Sequence, residues 1–266
     1  MLSEPLETVL KRDRVVVAIA LGALTMLAWI YTLHLAAEMG TAMPGMPGMK
    51  IAAPAIKPWS ADAIAFAFIM WAVMMIGMMT PSAAPMILLY ARVGRQARAE
   101  AKPFAGTVWF AGGYLLAWAG FAAFATIAQA ALASASLLTP MLKTASNPLA
   151  GVVLIAAGLY QWTPFKNACL FACQLPFAFL SRHGGFKRDP LGSLALGFRH
   201  GLYCVGCCWA LMGLLFVVGI MNVLWIAGLS ILILLEKSVP GGRFPSRAMG
   251  LVLIVAGAIF LYGTGM

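Results

Sequence analysis

The feature that most constrains this chain is its succession of apolar runs, most of them about 20 residues long and separated by short polar joints. Hydrocarbon offers no partner for open backbone groups, so runs of this length cross a bilayer as helices whose main-chain hydrogen bonds close internally. Seven candidate spans can be drawn, at roughly 15–37, 62–90, 104–133, 148–160, 193–218, 221–235 and 248–262. With 62% hydrophobic and 10% charged residues, the chain carries more apolar surface than a soluble domain of 266 residues can bury. The expected fold is all-α: a polytopic transmembrane helical bundle of about seven spans, one integral membrane domain over residues 1–266 with no soluble domain.

Charge placement sets the expected orientation. Fifteen of the 18 Lys and Arg fall at the N-terminus (Lys11, Arg12, Arg14) and in alternate joints: Arg92 to Lys102, Lys166 to Arg199, and Lys237 to Arg247. Only Lys50, Lys57 and Lys143 lie on the opposite side. This positive-inside bias places the N-terminus in the cytoplasm. The formal charge of +10 is then accounted for by basic loops resting on anionic lipid, and nucleic acid is not needed as a partner. The first apolar run is long and lacks a small-residue cleavage site, which reads as an anchor and not a removed signal peptide.

All five cysteines lie between Cys169 and Cys208, on the cytoplasmic side or in the inner half of the membrane, where thiols stay reduced. They form two i, i+4 pairs, Cys169 with Cys173 and Cys204 with Cys208, with Cys207 and His200 one turn from Cys204. Thiolates gathered this way suit low-coordinate Cu(I) or tetrahedral Zn(II). Redox thiol chemistry and plain packing of a small apolar residue are the competing readings. The CxxC at Cys204 to Cys207 lacks the following histidine that haem attachment requires. The first pair is expected on a short helix along the inner interface, within a cytoplasmic segment at 164–190, with Pro176 ending or bending it; His183 is expected to be solvated and not a ligand.

Methionine supplies a second set of soft donors. An outer loop at 39–60, rich in Met, Pro and Gly, carries Met43, Met46 and Met49, while Met70, Met74 and Met78 form an i, i+4 stripe on the second span with Met75 and Met79 beside it. Thioethers select Cu(I) over hard cations. Methionine also fills membrane cores and interfaces without any ligand role, and both readings stand for each group. Pro81 and Pro85 are expected to interrupt the second span and free carbonyls near Gly77, Met78 and Pro81, with Thr80 and Ser82 partly satisfying them. The third span, with Gly112, Gly113, Ala117 and Gly120, is expected to be packing scaffold.

The blocks MWAVMMIGMMTPSAAPM, YQWTPFKNACLFACQLP and GLYCVGCCWALM, with MNVLW and Glu236, Lys237 and Pro240, resemble the signature of a bacterial family of predicted metal-binding integral membrane proteins. The MxxxM spacing within a span is also similar, in chemistry and not in fold, to the eukaryotic Ctr-type copper transporters. The family resemblance implies a multi-pass protein of the bacterial inner (cytoplasmic) membrane. Together the residues and the resemblance lead to an expectation of Cu(I) handling, as transporter or metallochaperone, with zinc as the other candidate metal. The expected partners are the lipid bilayer, the metal ion and a protein partner or metallochaperone. A membrane oxidoreductase and a structural subunit of a larger complex are the alternatives; no carboxylate and histidine pair suited to general acid and base work favours an enzyme.

Overall fold

The computed structural model describes residues 3–41, 59–101, 104–138, 144, 146–239 and 243–262. These form ten helices in order: α1 (Ser3–Thr41), α2 (Ala61–Ala99), α3 (Thr107–Ser134), α4 (Asn147–Tyr160), α5 (Pro164–Gln174), α6 (Pro176–Arg182), α7 (Pro190–Gly213), α8 (Leu215–Val218), α9 (Val223–Ser238) and α10 (Arg243–Tyr262). Among the described residues there is no strand, only an isolated bridge between Leu138 and Thr144. Five segments are long and apolar enough to cross a membrane, and a sixth is obtained when α4 and α5, bent by 63° at their junction, are taken as one. The span expected at 221–235 corresponds to α9, whose 16 residues fall short of a full crossing by length.

Local chemistry explains where these helices start. Ser146 caps α4, Thr163 caps α5 and Asp189 caps α7; each side-chain oxygen accepts a backbone N–H of the first turn, and each is followed by Pro at N1 or N2. Asn222 caps α9 in the same way. The joint between the spans expected at 193–218 and 221–235 is a turn at Gly219 to Asn222, and Gly219 takes the positive φ of 104° that closes α8. α5 ends at Gln174 and α6 begins at Pro176, so the proline breaks that segment as expected.

Pro81 and Pro85 do not break the second span: α2 is continuous through both. The reason is a neighbour. Pro81 has no N–H for the carbonyl of Gly77, and the indole Nε1 of Trp29 on α1 donates to it instead, at 3.2 Å. Ser82 Oγ donates to Met79 O at 2.9 Å, a local substitute of the expected kind, whereas Thr80 Oγ1 is buried without a partner.

α3 and α7 form the most extensive helix pairing among the described residues, through small residues on both sides. A Cβ at Gly113 would meet the carbonyl of Leu194, and one at Gly197 the carbonyl of Phe110. The expected scaffold role of the third span therefore holds for Gly113 and Ala117, which are buried; Gly112 and Gly120 face away with nothing nearby. Gln129, a buried polar residue of α3, accepts a 2.7 Å bond from Trp71 Nε1 of α2. The outward faces are apolar, with Ile19, Leu27, Ile127 and Leu224 each more than 60% exposed, as suits helices solvated by lipid.

Candidate metal centre

Five helices bring polar and soft groups to one place. Ser82 of α2, Tyr114 of α3, Cys173 of α5, Cys204, Cys207 and Cys208 of α7, and Lys237 of α9 make a continuous set of contacts. The side chain of Cys173 meets those of Cys204 and Cys207, and Cys204 in turn meets Cys208. The Nζ of Lys237 donates to Cys204 Sγ at 2.9 Å and to Ser82 Oγ at 3.1 Å. Tyr114 Oη lies 3.1 Å from the same sulfur and donates to Met79 O at 3.2 Å.

None of the four thiols is in a disulfide, and α7 geometry sets the three on that helix. Cys207 and Cys208 are one turn beyond Cys204, and their sulfurs donate to its carbonyl at 3.1 and 2.9 Å. Both are turned toward that backbone oxygen. In this arrangement no group of three His, Cys, Asp or Glu side chains among the described residues surrounds a single ion position. Rotation about χ1 is the movement that would swing these sulfurs off the carbonyl and toward Cys204 and Cys173.

The expected ligands are distributed unevenly around this point. Cys169, one turn before Cys173, lies with its sulfur against the Gly206 backbone, where an added Cβ would sit 2.8 Å from Sγ. His200 is 3% exposed, caged by the rings of Phe110, Tyr114 and Phe179, and its Nδ1 has no hydrogen-bond partner. Met70, Met74 and Met78 are all buried, as are Met75 and Met79. The carbonyl of Met79, two bonds from Lys237 by way of Ser82, joins the end of this stripe to the thiols. Met43, Met46 and Met49 lie outside the described residues.

A second polar cluster flanks the first. Lys166 of α5 and Glu236 of α9 form an ion pair at 2.9 Å, essentially without exposure, completed by Gln161, which accepts from Lys166, and by Ser246, which donates to Glu236 at 2.9 Å. Gln174 holds the end of α9 by donating to the carbonyls of Glu236 and Val239. Reading the sequence leaves Glu236 and Lys237 free to pair with each other or with nearby bases. They diverge instead, because successive residues on a helix point about 100° apart: Glu236 reaches α5 and α10, and Lys237 reaches α2 and α7. Tyr114 and Ser82 carried no separate signal for a place beside the thiols, since a tyrosine and a serine are ordinary in such helices.

An all-helical, membrane-capable bundle with a buried thiol group beside a methionine stripe defines a class of proteins suited to soft metal ions. Residues 68–260 match the family model of PpoB2, described as copper chaperones. The match covers most of the sequence, and the chain belongs to that family. No significantly similar curated protein or solved structure was found.

Proposed function

We propose that this protein holds Cu(I) within the membrane at the thiol group of α5 and α7, with Cys173, Cys204, Cys207 and Cys208 as the ligands drawn upon. The observation that carries this reading is the meeting of Cys173 with Cys204 and Cys207, which joins donors from two helices at a place where Lys237 supplies a positive charge. Cu(I) takes two or three soft ligands, and metal-bound thiolates leave net negative charge that an ammonium offsets. Tetrahedral zinc would require all four sulfurs to converge at once.

In this reading the metal is cargo. Met43, Met46 and Met49 capture it, Met70, Met74 and Met78 relay it along α2, and the thiols, softer and anionic when bound, receive it. Each transfer is a ligand exchange with no change of oxidation state. The chain is then a multi-pass protein of the bacterial inner membrane with a cytoplasmic N-terminus, α9 completing seven spans. It acts as a transporter or as a chaperone that passes copper to a protein partner.

Elemental analysis of protein purified under reducing conditions tests this. The expected result is about one copper per chain in the wild type and its loss in Cys173→Ser and Cys204→Ser variants that remain folded. Copper content unchanged in both variants would remove the thiols from the account.

A further inference from the structure

A cleft of about 420 Å³ lies beside the α5–α7 contact, lined by Phe165, Cys169, His183, Arg199, Leu202 and Tyr203. It is distinct from the four-thiol group but touches it through α5, because Cys169 is one helical turn from Cys173. His183, expected from the sequence to be merely solvated, has its Nδ1 2.8 Å from Phe179 O. A carbonyl only accepts, so Nδ1 carries the proton, and in the neutral ring Nε2 is left as a free acceptor. Arg199 is exposed at the cleft, and among the described residues no carboxylate pairs with it. Phe165 and Leu202, 60% and 50% exposed, give the cleft apolar walls.

We infer that this cleft docks a small anionic Cu(I)–thiolate complex and that Cys169 exchanges copper with it, a role that rests on the copper-holding thiol group described above. The chemistry of the lining sets the ligand class. Arg199 repels a bare copper cation and favours an anion, with bidentate hydrogen bonding to a carboxylate. Cys169 supplies a soft sulfur for exchange, and the volume lies at the small end of the range for small-molecule sites. A low-molecular-weight thiol bearing a carboxylate meets all three requirements. In the exchange, a Cu–S bond to the carrier breaks as the bond to Cys169 Sγ forms. The Cys169 proton passes, by way of His183 Nε2, to the departing carrier thiolate, and copper remains Cu(I). The metal then lies one turn from Cys173.

Stopped-flow transfer into the purified full chain tests this, with Cu(I) presented either as its glutathione complex or as the cationic acetonitrile complex. Arg199→Ala is expected to slow transfer from glutathione about tenfold, to leave transfer from the cationic acetonitrile complex no slower and the final copper content unchanged, and to be recovered only in part by Arg199→Lys, which restores the charge but not the bidentate fork. Cys169→Ala is expected to remove the fast phase from glutathione. Wild-type rates from glutathione in both Arg199→Ala and Cys169→Ala would overturn the cleft assignment while leaving the thiol group intact. A wild type that takes no copper from either donor would overturn both readings.

Discussion

The Nζ of Lys237 lies 2.9 Å from the Sγ of Cys204, and no carboxylate among the described residues pairs with that lysine. A charged group at a helix end is placed against a sulfur and a serine hydroxyl, about 100° round α9 from Glu236. In a low-dielectric interior such a contact is stronger than it would be in water and is costly to leave half made.

Removing that charge is expected to weaken copper binding. Lys237→Met keeps the stem and loses the ammonium, so Cu(I) affinity measured by competition with a colorimetric chelator should fall about tenfold, the loss of one charge-assisted contact. An unchanged affinity would mean that the lysine plays no part in holding the metal.

The methionine stripe separates packing from transfer. Met70, Met74 and Met78 are buried, and Leu at all three conserves volume, so each change should cost less than about 1.5 kcal/mol. If the thioethers relay copper, the triple variant should melt near the wild-type temperature while loading copper markedly more slowly in reconstituted vesicles. Loading at the wild-type rate would leave the stripe a packing feature alone.

The Lys166–Glu236 pair should show the asymmetry of buried charges. Lys166→Met alone strands a carboxylate with Ser246 as its one remaining side-chain partner among the described residues, a loss of about 3–5 kcal/mol. Adding Glu236→Leu should recover most of it. Thermal unfolding of the single and double variants in detergent measures the difference directly, and equal destabilisation in both would show that the charges themselves are not the cause.

The α3–α7 crossing depends on Gly197, whose added Cβ would meet the carbonyl of Phe110. Backbone cannot step aside as a side-chain tip can, so Gly197→Ala should cost about 1–3 kcal/mol or more and shift the thiol-bearing helix. Gly120→Ala, on the same helix pair but with open space around it, should be neutral or slightly stabilising by comparison. Melting temperatures of the two variants give the test.

Features governed by local chemistry were readable in the residues: the helical class, the turn at Gly219, the break at Pro176 and the clustering of thiols. Those decided by partners far away in the chain were not. Pro81 and Pro85 predict an interrupted helix until Trp29, 52 residues before Pro81, is seen to serve the freed carbonyl of Gly77. The cysteines pair by spacing as Cys169 with Cys173, yet α5 gives them different neighbours, since the latter meets Cys204 and Cys207 side chains while the former rests on the Gly206 backbone. His200 has the right spacing for a ligand and is found in an aromatic cage, because Phe110, Tyr114 and Phe179 come from two other helices.

The central claim, that copper is held between α5 and α7 by thiols of both helices, is tested most directly by X-ray absorption at the copper edge on loaded wild-type and Cys173→Ser protein. The account expects a sulfur-only first shell in the wild type and a measurable loss of sulfur in Cys173→Ser. A first shell dominated by nitrogen or oxygen, or a sulfur shell identical in the two proteins, would contradict it.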